Sequence, residues 1–229
     1  MPDLPSLNDS LDLVSVYFGY ACRQRNSIKP IPYPFILSLY SKPGKKPQIC
    51  VSDINGHHLK GSPIDPCLGD MNCLKLSPKR NVFACSGFAS NLKIWKVADD
   101  KFTLKQICSL SVNSQAFHLA FDQNDEKIVV LTKDGAEVFD FSDNDYPKNI
   151  TKFSLPREIP AKNYKFIQFE YLQDTMYLSY ENSIYIMKSG KLVEKIDNIV
   201  NECITSIQIL PKHGYLLVSG GKTIRVLQI

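Results

Sequence analysis

Three segments decide how this chain is read: Cys73-Leu74-Lys75-Leu76-Ser77-Pro78, Val82-Phe83-Ala84-Cys85-Ser86-Gly87 and Leu92-Lys93-Ile94-Trp95-Lys96-Val97. Apolar and polar residues alternate in the first and third, the period of a strand with unlike faces. The middle segment is almost wholly apolar, as a strand covered on both faces would be. Ser77-Pro78 and Ser86-Gly87 punctuate the run as turns. Trp95, the only tryptophan, closes the third strand.

Working outward from Trp95, the same slot recurs. Upstream it is held by Ser52 in Ile49-Cys50-Val51-Ser52-Asp53; downstream by Phe139 in Glu137-Val138-Phe139-Asp140, Met187 in Ile184-Tyr185-Ile186-Met187, and Leu227 in Ile224-Arg225-Val226-Leu227. The steps from Ser52 onward are 43, 44, 48 and 40 residues. Inner strands are expected at Phe117–Phe121, Phe166–Phe169 and Ile204–Ile209, and middle strands at Ile128–Leu131, Met176–Tyr180 and Tyr215–Ser219. Outer strands are expected at Phe102–Cys108, Asn149–Leu155 and Lys191–Asp197. A repeat of about 40–45 residues built of four short strands is one blade of a β-propeller. The expected fold is therefore all-β, with about five blades present.

Residues 1–48 form an irregular N-terminal segment that contributes strands to a first, degenerate blade, and residues 49–229 hold the regular blades. In that first blade, Leu13–Cys22, Phe35–Tyr40 and Gln48–Asp53 are the expected strands. The last blade has no outer strand after Leu227, and Pro2 and Pro5 make the N-terminal residues poor ladder partners. The expectation is an N-terminally incomplete ring, part of a seven-bladed whole.

Composition fits one β domain: 44% hydrophobic and 22% charged residues, with eleven tyrosines and twelve phenylalanines. The net charge of +4 is mild. Lys42, Lys45 and Lys46 cluster in one turn and Lys79-Arg80 in another. They read as solvated hairpin tips. The sharper alternative is a patch for RNA phosphates or an acidic partner, and no stacking aromatic in a basic run supports the RNA reading.

Seven cysteines include no C-x-x-C pair, which argues against a zinc site and for a reducing compartment. Cys67 and Cys73 with His57 and His58 are the only loose ligand set. The sequons at Asn149 and Asn8 read as chance matches. The acidic N-terminus and the short apolar run Leu13–Cys22 fit neither a signal peptide nor a membrane span.

No nucleophile elbow, phosphate loop or paired-histidine zinc motif is present, and no small-molecule substrate or cofactor is expected. Asp134, before Gly135, holds the place of a turn-bracing aspartate. Trp95 is expected to pack between blades and bond its indole N–H to a Ser or Thr. His118 reads as core or channel lining, and Asp122, Asp125 and Glu126 as an acidic hairpin tip. The marker residues Ser52, Asp53, Trp95, Asp134, Phe139, Asp140, Met187 and Leu227 are structural, and no catalytic residue is assigned.

Particular motifs resemble the WD-repeat family, and within it the C-terminal blades of the transducin-beta-like protein 2 family. Ser77-Pro78, Phe83-Ala84-Cys85-Ser86-Gly87-Phe88 and Lys93-Ile94-Trp95-Lys96-Val97 are similar to one of its repeats. Phe117–Phe121 with Lys133-Asp134-Gly135 and Phe139-Asp140 resemble the next. Glu202-Cys203-Ile204, Val218–Gly221 and Ile224–Leu227 resemble the last. The resemblance covers residues 49–229; the first 48 match poorly. It implies a non-catalytic, seven-bladed scaffold held at the endoplasmic reticulum by an N-terminal membrane segment. It also implies association with the stress-activated kinase that phosphorylates a translation initiation factor. The expected location is the cytoplasm, at the cytosolic side of the endoplasmic reticulum. No membrane segment occurs in this chain, and the resemblance carries no binding residues onto it. The alternatives are an RNA-associated adaptor using the basic tips and a generic complex subunit.

Overall fold

The computed structural model describes residues 12–23, 31–41, 47–53, 55–58, 61–65, 71–77, 82–87, 90–98, 103–122, 126–141 and 147–229. Among these the chain is nearly all β and of the β-propeller class, built from successive antiparallel meanders. It divides into two compact units, residues 1–115 and 116–229.

In the first unit, β1 (Asp12–Arg23), β2 (Ile31–Ser41) and β3 (Gln48–Asp53) form a three-stranded sheet. A four-stranded sheet follows: β4 (Met71–Leu76), β5 (Val82–Gly87), β6 (Asn91–Ala98) and β7 (Thr103–Ser111). β1 lies beside β4, so the inner strands adjoin.

The second unit holds three sheets. The first is β8 (Ala116–Phe121), β9 (Lys127–Thr132), β10 (Gly135–Asp140) and β11 (Lys148–Phe153). The second is β12 (Phe169–Leu172), β13 (Thr175–Tyr180), β14 (Ser183–Lys188) and β15 (Lys191–Ile196). The third is β16 (Ser206–Leu210), β17 (Tyr215–Gly220) and β18 (Thr223–Gln228). Here too the innermost strands adjoin, β12 lying against both β8 and β16.

The marker slot is real in register. Trp95 pairs with Phe83, Phe139 with Ile128, Met187 with Met176 and Leu227 with Leu216, in each case the second residue of the middle strand. Ser52 pairs with Ile36. Directly paired residues share a face, and for Trp95, Met187 and Leu227 that face packs on the preceding sheet. Tyr185 and Met187 thus meet Ala136 and Val138 in one buried cluster. Leu216, Val218 and Leu227 meet Ile184 and Ile186 in another, and Trp95 with Phe83 meets Ile49 and Val51 in a third. The β12–β15 sheet is therefore a two-sided core layer, which explains why its middle strand is largely apolar. Burying one such aliphatic side chain contributes roughly 1.5–3 kcal/mol.

One predicted strand is displaced. Phe166–Phe169 was the expected inner strand, but the ladder begins at Phe169, and residues Ala161–Phe166 form a 3-10 helix. Pro160 opens it, its carbonyl accepting the Asn163 N–H at 2.8 Å. The Gln168 N–H is taken by the Ser179 hydroxyl at 2.9 Å, so the chain is held against the sheet before true pairing starts. Other boundaries shift by a residue or a few: the outer strands are Thr103–Ser111, Lys148–Phe153 and Lys191–Ile196.

Candidate interaction surface

The outer strands of the four-stranded sheets share a feature that the marker slot conceals. In each, the ladder slips by one residue at the marker. Ile94 pairs with Cys108 but Trp95 with Gln106; Val138 with Thr151 but Phe139 with Asn149; Ile186 with Glu194 but Met187 with Leu192. The extra residues are Ile107, Ile150 and Val193, spaced by a constant 43 residues. Such bulges, with charges beside them, blunt an edge against unwanted strand pairing.

On β11 and β15 these bulges are open to solvent: Ile150 is 49% exposed, Val193 65% and its neighbour Leu192 43%. Both strands present the spacing Lys-x-[Ile/Val]-x-Lys, as Lys148-Asn149-Ile150-Thr151-Lys152 and Lys191-Leu192-Val193-Glu194-Lys195. The turn before β15 abuts the end of β11. Gly190, at φ +78°, has the Phe153 side chain 2.8 Å from where a Cβ would stand. Only glycine fits that close approach.

Local pairing fixes two of the lysines. Lys152 lies 3.8 Å from the buried Glu137 carboxylate, which also accepts a hydrogen bond from Asn149 Nδ2 at 3.0 Å. Lys195 bonds Asp197 at 2.8 Å and lies 5.4 Å over the Tyr185 ring. The hydrogen bond from Lys195, seconded by the Ser183 hydroxyl at 2.7 Å, lowers the Asp197 carboxyl pKa. The surface is apolar at its bulges and basic around them. That composition suits contact with a protein surface better than with water alone.

The slot residues Ser52, Trp95, Phe139, Met187 and Leu227 lie one to a sheet. Asp53 ends β3; its carboxylate accepts the N–H groups of Asn55 at 2.8 Å and His57 at 2.9 Å and lies 3.1 Å from His57 Nδ1. Burial pushes this carboxyl up, yet the bonds from His57 and Asn55 outweigh it and the net shift is downward. Asp140 closes β10 opposite Lys127 and Lys148.

Asp134 does not brace its turn with its carboxylate. Thr132 does, donating its hydroxyl to the Gly135 carbonyl at 3.0 Å and accepting the Asp134 N–H at 3.3 Å. Asp134 is exposed, and its charge adds to the burial that raises the Tyr164 phenol. Asp122 is likewise not a solvated tip. It is 8% exposed and its carboxylate accepts the N–H groups of Glu126 and Lys127. Trp95 stacks on Phe83 at 6.5 Å, but among the described residues its buried indole nitrogen finds no Ser or Thr acceptor, and the Cys85 thiol is its weak neighbour. His118 is half-buried on β8.

Cys50, Cys73, Cys85 and Cys108 are buried thiols, and Cys203 is an exposed one. Burial pushes the Cys50 thiol up to about 11 and the Cys85 thiol up to about 12. Among the described residues no group of three or more His, Cys, Asp or Glu is placed to hold a metal ion. No helix there is long and apolar enough to cross a membrane. The basic tips Lys42, Lys45, Lys46, Lys79 and Arg80 lie outside the described residues, as do Cys67 and Asp125.

The bulge positions escaped the sequence reading, although the constant spacing of Lys105-Gln106-Ile107, Lys148-Asn149-Ile150 and Lys191-Leu192-Val193 was a usable signal. Compared with known proteins, the chain matches no family model and no curated protein.

Proposed function

We propose that this chain is a non-catalytic protein-interaction scaffold whose partner-facing surface includes the outer strands β11 and β15. The observation that carries this reading is the repeated, exposed apolar bulge at Ile150 and Val193, set among lysines on two adjacent sheets. The propeller class supports it, since such arrays hold side chains on rigid strands and commonly serve as docking platforms.

The finer reading rests on the sequence resemblance to WD-repeat proteins alone. By that resemblance the partner is a stress-activated kinase acting on translation, and the place of action is the cytosolic side of the endoplasmic reticulum during the unfolded protein response. The alternative is an RNA-associated adaptor using the tips Lys42, Lys45, Lys46, Lys79 and Arg80, which lie outside the described residues. On β11 and β15 RNA is disfavoured because Lys152 and Lys195 are already paired and Glu194 stands among them.

The test is co-purification of the kinase with the wild-type chain and with an Ile150→Asp/Val193→Asp variant, before and after induced stress. The kinase reading requires retention by wild type and loss from the variant. RNA binding instead would fall steeply with salt, because phosphate contacts release counterions. Retention of ribonuclease-sensitive material alone contradicts the scaffold reading.

A further inference from the structure

The turn after β3 holds the only Asn-Gly pair in the sequence, Asn55-Gly56. In such a pair the following backbone nitrogen can attack the asparagine carboxamide, and glycine has no Cβ to hinder the approach. Both residues are exposed. Gly56 sits at φ +85°, and among the described residues no atom lies within 4 Å of where a Cβ would stand. The carboxamides of Asn149, Asn163 and Asn182 are held by Glu137, Tyr180 and Asn198, whereas Asn55 engages Asp53 through its backbone N–H.

Asp134-Gly135, the only Asp-Gly pair, is the internal contrast, since an aspartate can close the same ring. Gly135 is paired with Thr132 in the β9–β10 ladder, and the Thr132 hydroxyl bonds the Gly135 carbonyl and the Asp134 N–H. A Cβ at Gly135 would stand 2.4 Å from the Phe153 carbonyl oxygen. That backbone is packed too closely to rearrange, and the one at Gly56 is not.

Asp53 restrains the turn. Its carbonyl accepts the Gly56 N–H at 3.1 Å, and its carboxylate accepts the N–H groups of Asn55 at 2.8 Å and His57 at 2.9 Å. Attack needs the first of these bonds open, and hydrogen bonds in exposed turns open at little free-energy cost. Asp53 is thus a brake on the step rather than a participant in it.

We propose that Asn55 is a self-modification site, at which the chain slowly converts asparagine to aspartate and isoaspartate and so loosens the segment that returns onto β3. The bond from the Gly56 nitrogen to Asn55 Cγ forms and the bond from Cγ to Nδ2 breaks. The Gly56 proton leaves with the amide nitrogen as ammonia. Water then opens the resulting succinimide: cleavage of the new bond gives aspartate, and cleavage at the Asn55 backbone carbonyl gives isoaspartate. No oxidant or reductant is needed.

The turn leads into that returning segment. Ser52 bridges His58, Ile49 and Ile64 exchange backbone bonds at 3.0 and 2.9 Å, and the Ser62 hydroxyl accepts the Val51 N–H at 2.8 Å. The Asp53 N–H donates to the His57 carbonyl at 2.9 Å, which closes the turn. An isoaspartate lengthens the main chain between residues 53 and 57 and misplaces that carbonyl. It also brings a second carboxylate into the turn that Asp53 already occupies.

The test ages the full folded chain at neutral and mildly alkaline pH and maps its peptides by mass, with an unaged sample digested in parallel. The expected result is replacement of amide by acid at residue 55, as both aspartyl and isoaspartyl forms, faster at the higher pH. Asp134 should yield no isoaspartate. Gly56→Ala should slow the conversion about tenfold or more, because a Cβ then hinders the attacking nitrogen. Asp53→Ala removes two bonds from the turn and should speed it about fivefold. Amide hydrogen exchange at Val51 and Asp53 should be faster in the isoaspartyl form than in the unaged chain. The proposal is overturned if Asn55 persists in the aged chain or if Gly56→Ala converts as wild type does. Unchanged exchange at Val51 and Asp53 overturns the loosening of the segment.

Discussion

Tyr171 donates its hydroxyl hydrogen to the Asp174 carboxylate at 2.8 Å, and Lys127 of the neighbouring sheet bonds the same oxygen. The β12–β13 turn is thereby tied to the start of β9 inside the second unit. The hydrogen bond from Lys127, with that from Tyr171 second, holds the Asp174 carboxyl below its ordinary value of 3.8. A lowered folded-state pKa contributes stability that is present above the ordinary carboxyl pKa and lost as pH falls through the depressed one.

Asp174→Ala should therefore cost about 1 kcal/mol at neutral pH, since the ion pair is half-exposed and screened while the phenol loses its acceptor. The variant should lose less than wild type when pH drops below about 4. Asp174→Asn keeps an acceptor and tolerates the φ of +62° there, so it should fall between the two. Urea midpoints at pH 7 and pH 3 check both statements.

Gly135 sits at φ +130°, and a Cβ there would lie 2.4 Å from the Phe153 carbonyl oxygen. Gly135→Ala must displace β11 backbone, so a loss of about 2 kcal/mol or more is expected. Gly56, at φ +85° with nothing within 4 Å, is the control. Its alanine variant carries only backbone strain and should cost about 1 kcal/mol. Denaturant titration separates the two.

Buried thiols with raised pKa values are neutral and shielded, and only a thiolate alkylates readily. Among the described cysteines, Cys203 should react with iodoacetamide at pH 8 in the folded chain. Cys85 and Cys50 should label only on unfolding. Peptide mass mapping across a urea series reads this directly, and early labelling of Cys85 would contradict its burial.

Exposed bulge and buried marker should part company in stability. Val193→Thr should change stability by less than about 0.5 kcal/mol, whereas Met187→Ala, which opens a cavity between two sheets, should cost roughly 2–5 kcal/mol. Thermal melts of the two variants make the comparison.

The repeat was legible because each blade must bury a middle strand on both faces and an alternating third strand beside it. Phe83 against Trp95 and Met176 against Met187 leave that imprint whatever the loops do. The connectors left none. The 3-10 helix before β12 is held by tertiary bonds, such as Asn163 Nδ2 to the Tyr180 hydroxyl at 2.9 Å, that no local pattern announces. The Asp134-Gly135 pair pointed to Asp134 as the brace of its turn, and only geometry shows the Thr132 hydroxyl in that role. The outer-strand bulges were written in the spacing, but a bulge breaks the period-two alternation by which strands are recognised. Ile150 and Val193 therefore looked like ordinary strand residues. Ile224 and Val226 read as core residues because their equivalents in the other sheets are buried or, at Ile186, partly buried, yet both are exposed.

The central claim is that the β11 and β15 surface meets protein. A photo-crosslinking residue at position 193, with a second chain carrying it at the buried position 184, tests this most directly in cells. The account predicts adducts from position 193 that resist ribonuclease and yield to protease, with none from position 184. Adducts that ribonuclease removes, or equal labelling from both positions, would contradict it.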